Sequence, residues 1–143
     1  MSPRLHVVFD GRCGFCTRSV GWVRRLDRHG RIELHAWQEP GVLERFGLTP
    51  EQGDTSVWAI PARCGAEAPA RGSAHSGARA VAAILDTALG TRCFGALYDL
   101  PLVGRVQEGI YRWVAAHRGG FPGVTPWCEQ HPGRCGSGHC GSV

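Results

Sequence analysis

The chain contains no lysine: all sixteen of its basic residues are arginine, for a modest formal charge of +4. That uniformity points to codon usage rather than to a surface built for phosphate. No basic run is interleaved with aromatics, so the footprint of a nucleic-acid binder is missing. Long apolar runs are missing too. No window approaches the ~18 apolar residues that span a bilayer, and no membrane insertion is expected. The opening MSPRLHVVFDG runs from a few apolar residues straight into Asp10, without the small-residue cleavage pattern of a secretory signal. The expectation is a cytoplasmic protein, where thiols are kept reduced. There is no Gly-x-Gly after the first apolar run, which argues against a dinucleotide fold. Nor does any Ser/His/Asp set or carboxylate pair stand out. No bound cofactor is expected, and reducing equivalents would have to come from a partner protein or a small thiol.

Cysteine is what the chain has in quantity. Seven is many for a reducing compartment, so some of them need a reason other than structural disulfides. The 143 residues, 43% hydrophobic, suffice for one domain with its own core.

Along the chain, Leu5–Phe9 (LHVVF) is a short β-branched and aromatic run closed by Asp10-Gly11, and reads as a buried strand. From Cys13 the period changes. Phe15, Ser19, Trp22, Val23 and Leu26 share a helical face, the arginines at 18, 24, 25 and 28 take the other side, and Gly30 is the stop. RIELHAW alternates and reads as a second strand, completing a βαβ unit. EPGVLERFG reads as one or two helical turns, LTPEQGD as a turn and TSVWAI as a third strand. Residues 61–72 read as a hairpin loop with a short fourth strand near Glu67–Arg71. A second helix places Ala78, Val81, Ala82, Leu85 and Leu89 on its core face. A third, after Pro101, places Val103, Val106, Ile110, Trp113 and Val114 there. Trp37 and Trp58 read as core residues of the strands, with the lining of a groove near the site as the alternative. The remainder is punctuated by glycine and proline and has no period.

The expected fold is therefore α/β and thioredoxin-like in layout: βαβ plus ββα, an extra C-terminal helix, and an irregular Cys/Gly-rich tail. The boundary falls after Arg118, giving a domain over 1–118 and a tail over 119–143.

On this scaffold Cys13 falls at the first turn of the first long helix, beyond the carboxyl end of strand one. Free backbone N–H groups and the helix dipole favour an anion there, and a thiolate is an anion. Arg12 adds a positive charge beside it, while Asp10 and Gly11 shape the loop. Asp10 either bonds the loop's N–H groups and relays a proton to Cys16, or simply ends the strand in a turn. Cys16 lies one turn deeper on the same helix face. The asymmetry suits disulfide exchange, with Cys13 as nucleophile and Cys16 as resolving thiol, acting on protein or small-molecule thiols and disulfides.

The rival reading is a zinc or other metal module. Cys13 and Cys16 would be two ligands, and the tail, with Cys128, Cys135, Cys140, His131 and His139, would supply the rest. Alternatively the tail thiols shuttle electrons, or the tail is an unstructured appendage. Cys64 and Cys93 read as partly buried small apolar side chains. His6 and His35, in strands, carry no evident chemistry.

The pattern Asp10-x-x-Cys13-x-x-Cys16 (DGRCGFC) resembles the signature of the DCC family of thiol-disulfide oxidoreductases. The likeness extends from Leu5 to Arg118. It takes in RSVGWVRRLDRHGRIELHAWQ up to Gln38, GSAHSGARAVAAIL, and YRWVAAHR with its Tyr and final Arg. The resemblance implies a thioredoxin-like fold and protein-disulfide reductase-type activity, with Asp10, Cys13 and Cys16 as its signature. Many thioredoxin-like proteins carry a cis-proline before the third strand, facing the cysteines. Here Thr55 or Ser56 stands in that region, which leaves a backbone N–H free and keeps the metal reading open.

Overall fold

A computed structural model describes residues 4–62 and 74–135. Strand β1 (Leu5–Phe9) is the spine of a four-stranded sheet of order β2-β1-β3-β4. β2 (Ile32–Ala36) runs parallel to it, with Leu5 opposite Ile32 and Phe9 opposite Ala36. On the other side β3 (Trp58–Pro61) runs antiparallel, pairing Val8 with Trp58 and Leu5 with Pro61. The two-residue β4 (His75–Ser76) closes the sheet against β3. A strand flanked on both sides and covered on both faces reads as a nearly unbroken apolar run. Val7, Val8 and Phe9 are accordingly the most deeply buried residues of β1.

Alternation divides the sheet's side chains between two faces. Leu5, Val7 and Ala59 face α1 (Gly14–Leu26) and α4 (Gly77–Leu89), whose Ala80 and Ile84 pack on them. Val8 and Ile60 face α2 (Val42–Phe46) through Val42 and Phe46, with Trp37 and Trp58 packed alongside. Phe9, Val20 and Ala36 form a third cluster, completed by Trp127 from beyond Arg118.

Parallel β1 and β2 joined by a helix, then antiparallel β3 and β4 leading into α4, is the thioredoxin-like arrangement. Several local readings change. Residues 50–55 form a helix, α3 (Pro50–Thr55), not a turn. Thr49 and Gln52 make a reciprocal capping box and Pro50 sits in the first turn. β3 consequently starts at Trp58 rather than Thr55. The fourth strand placed at 67–71 lies outside the described residues; the strand that pairs with β3 immediately precedes α4. Between α4 and α6 (Pro101–Ala116) lies α5 (Cys93–Tyr98), whose Phe94 and Gly95 N–H groups donate to the Asp86 carboxylate at 3.0 and 2.8 Å. Cys93 opens α5 and is exposed, not partly buried; Cys64 lies outside the described residues.

Three helical stripes are rotated from their expected positions. On α1, Thr17 and Val20 are the buried residues while Trp22 is 57% exposed. On α4 the expected Ala78 and Ala82 are buried, but the inner face centres on Ala80, Ile84 and Ala88, and Val81 and Leu89 turn outward. On α6, Val103, Tyr111 and Val114 are half-buried, whereas Val106, Ile110 and Trp113 are exposed. Gly104 sets that rotation, since a Cβ there would stand 2.5 Å from the Tyr98 carbonyl oxygen.

Residues 119–135 are anchored. After a 3₁₀ turn (Arg118–Gly120), the chain reaches α7 (Trp127–Gln130), whose Trp127 is 6% exposed and meets Phe9 edge-on. Trp127→Ala is expected to lower unfolding free energy by about 3–5 kcal/mol in urea titration. A loss within ~0.5 kcal/mol, ordinary for a surface substitution, would contradict this packing.

Candidate active site

The loop from β1 to α1 is organised by one carboxylate. Asp10 is buried; its Oδ1 accepts the Arg12 N–H at 3.0 Å and the Gln38 side-chain amide at 2.7 Å. Gln38 Oε1 in turn accepts the Gly11 N–H at 2.9 Å, so one amide from the end of β2 stitches two points of the loop. Gly11 has to be glycine. A Cβ there would lie 2.7 Å from Ala36 Cβ and 2.9 Å from Cys128 Sγ.

Cys13 is the N-cap of α1, and its Sγ accepts the Cys16 N–H at 3.2 Å, the place a serine or aspartate oxygen usually takes. The sulfur thus sits where the helix offers unpaired donors and positive potential. Cys16, one turn on, is held differently. Burial, helped by its hydrogen bond with Cys13 and the adjacent Cys13 charge, pushes its thiol up to about 12. Arg118 acts against that shift: its guanidinium Nη1 stands 3.8 Å from Cys16 Sγ.

Arg118 ties the site together. Nη2 lies 3.4 Å from Asp10 Oδ2 and donates to the Asp54 carbonyl at 2.8 Å. The cation beside the pair is therefore Arg118. Arg12 is exposed, and it is its backbone N–H that bonds Asp10. Arg118 also borders an open cleft of about 540 Å³, lined with it by Asp54, Ser56, Tyr111 and Arg112.

The missing cis-proline has been compensated. There is no cis peptide bond among the described residues. The Ser56 N–H donates to the Gln52 carbonyl at 3.3 Å, and the Val57 N–H to the Tyr111 hydroxyl at 2.9 Å. No backbone donor is left over there to favour a metal-bound water. Tyr111 is half-buried, and that desolvation raises its phenol pKa.

The segment after Arg118 straps the first turn of α1. The Val124 N–H donates to the Gly14 carbonyl, Trp127 N–H to Thr17 Oγ1 and Cys128 N–H to the Gly11 carbonyl, at 3.2, 3.0 and 2.9 Å. Gly14 and Gly123 allow that approach; a Cβ on either would lie 2.5 Å from backbone of the facing segment. Cys128 and Cys135 are joined in a disulfide.

Among the described residues the rival metal set is not assembled. Among the described residues the one group of three or more Cys, His, Asp or Glu donors able to surround an ion is His6, Glu33 and His35, away from both cysteine pairs. Cys140 and His139 lie outside those residues. His6 and His35, read from sequence as without chemistry, face each other at 3.1 Å, and burial lowers both imidazole pKa values.

A CxxC at the amino end of the first helix, on a sheet of this order, defines a thioredoxin-like protein of thiol-disulfide chemistry. The chain belongs to the DCC1-like thiol-disulfide oxidoreductase family, which it matches over residues 7–124. No curated protein and no solved structure matches it significantly. The match agrees with the resemblance carried by Asp10, Cys13 and Cys16. It also covers Gln38, Tyr111 and Arg118, to which the sequence reading assigned no role.

The raised Cys16 pKa has a consequence for labelling. Below about 12 this group is a neutral thiol, so the alkylatable thiolate is scarce throughout the working range. Peptide mapping of reduced protein treated with iodoacetamide from pH 6 to 10 should find Cys13 modified and Cys16 spared. Comparable labelling of Cys16 at pH 8 would contradict the burial.

Proposed function

We propose that the protein is a protein-disulfide reductase-type oxidoreductase in which Cys13 is the nucleophile and Cys16 the resolving thiol. The observation that supports this most is the different setting of the two sulfurs. Cys13 Sγ caps the open helix end, while Cys16 is a half-buried thiol of raised pKa with Arg118 against it.

The Cys13 thiolate attacks a substrate disulfide R–S–S–R′, forming Cys13–S–S–R and releasing R′S⁻. Cys16 must then lose its proton. Burial and the Asp10 charge still disfavour the Cys16 thiolate, but with Cys13 in a mixed disulfide the opposing Cys13 hydrogen bond and charge are gone, and the Arg118 guanidinium remains to stabilise it. The Asp10 carboxylate, paired to the same guanidinium and felt electrostatically at Cys16, is the base we assign to that proton. Attack of Cys16 on Cys13 Sγ releases RS⁻ and leaves the Cys13–Cys16 disulfide. The substrate gains two electrons and the enzyme loses two, which a small thiol or a partner dithiol restores. The residence that fits this direction is the cytoplasm.

Cys13→Ser should abolish insulin-disulfide reduction. Cys16→Ser should instead accumulate Cys13 mixed disulfides that dithiothreitol reverses. Full activity in Cys13→Ser would overturn the assignment. Arg118→Gln should leave the first attack unchanged and slow resolution about tenfold, the effect of one pKa unit on the Cys16 thiolate. Rapid-quench trapping separates the steps; slowing of the first attack alone would contradict the role given to Arg118.

A further inference from the structure

We propose that His6, Glu33 and His35 form a second site on this chain that binds a borderline divalent cation of the zinc kind. It would be held by two imidazole nitrogens and one carboxylate. The inference is independent of the cysteine chemistry.

The backbone supplies the arrangement. His6 on β1 is registered directly beside Glu33 on parallel β2, and His35 beside Val8. Side chains two apart on a strand share a face, so the ladder itself sets His6, Glu33 and His35 together on one side of the sheet. His6 Nδ1 lies 3.1 Å from His35 Nε2 and 3.5 Å from Glu33 Oε2; His35 Nε2 lies 3.6 Å from Glu33 Oε1. A tetrahedral ion with bonds of ~2.0–2.1 Å has ligand atoms about 3.3 Å apart. The two nitrogens face different oxygens of the one carboxylate, so small side-chain adjustments suffice for Glu33 to offer one or both to an ion between them.

The surroundings suit the ligands. Phe46 packs against both imidazoles, with ring centroids 5.3 Å from His6 and 5.2 Å from His35, and so limits their rotation. The two histidine side chains are 12% and 9% exposed, while that of Glu33 is 46% exposed. Two fixed ligands at the bottom and a solvent-facing carboxylate at the top leave a route of access and a fourth position for water. Arg45 is the nearby cation that opposes charge here; its guanidinium lies over the Phe46 ring, and Glu33 and Glu39 offset it. Imidazole and carboxylate together select zinc, cobalt and iron(II) over magnesium or calcium on one side and copper(I) on the other. The site is four residues upstream of Asp10 on the spine of the sheet, some 13 Å from the loop at ~3.3 Å per residue. An ion there would join β1 to β2 without touching the cysteines.

The test uses the full chain with Cys13–Cys16 oxidised and the remaining thiols blocked by N-ethylmaleimide, so that sulfur cannot compete. Titration with Co²⁺ should give a one-to-one complex with visible d–d bands and no thiolate charge-transfer band in the near ultraviolet. Zn²⁺ should displace it and raise the melting temperature. Glu33→Gln, a surface change that leaves the core intact, should weaken binding at least tenfold, and His35→Gln should abolish it. Absence of cobalt bands and of any zinc-dependent thermal shift would overturn the proposal. So would a thiolate charge-transfer band, or binding undiminished in Glu33→Gln; either result would place the ion elsewhere.

Discussion

Asp10 is a carboxylate buried at the end of the central strand, and the rest of the site follows from how it is satisfied. A buried charge without partners is too costly to keep, so each oxygen recruits donors. Oδ1 takes a loop N–H and the amide of Gln38; Oδ2 takes the Arg118 guanidinium. Three separate parts of the chain are thereby fixed at one point: the β1–α1 loop, the end of β2 and the end of α6. The same guanidinium reaches Cys16 Sγ, so the interaction that compensates Asp10 also sets the potential felt by that half-buried thiol.

This coupling gives the two cysteines unlike environments although they are one helical turn apart. Cys13 is stabilised by a local feature, the open end of α1, available to any residue at that N-cap. Cys16 depends on tertiary structure: burial raises its pKa, and a guanidinium from a residue 102 positions away opposes the rise. The strap over the first turn, pinned at Gly11 and Gly14, holds the loop against the sheet and limits how far the Cys13 end can move.

The first half of the fold was legible because its signals are local. An apolar run, a change to helical period at Cys13 and a stop at Gly30 set out β1, α1 and β2, and the CxxC fell at their junction. α3 carried a readable signal in Thr49-Pro50-Glu51-Gln52, the capping box, hidden under residues that also favour turns. α5 carried no comparable signal, because the Asp86 carboxylate that holds it lies eight and nine residues upstream. Periodicity identified α6 but turned its inner face wrongly, since Gly104 and the Tyr111 hydroxyl bond decide the rotation. The strap lacks a period because backbone contacts at glycines and a single tryptophan secure it. Arg118, Gln38 and Tyr111 escaped assignment for a related reason: each acts through a contact distant in sequence. His6 and His35 looked inert one at a time, and only the register of two parallel strands makes them a pair.

The central claim is that Cys13 and Cys16 form a reversible redox couple. Intact-mass spectrometry of the full chain, equilibrated across a glutathione redox series with metal content read in parallel, addresses it most directly. The account expects a reversible loss of two hydrogens, mapped to a Cys13–Cys16 disulfide, with no metal on those sulfurs. Thiols that stay unreactive across the series until a stoichiometric ion is chelated from Cys13 and Cys16 would contradict it.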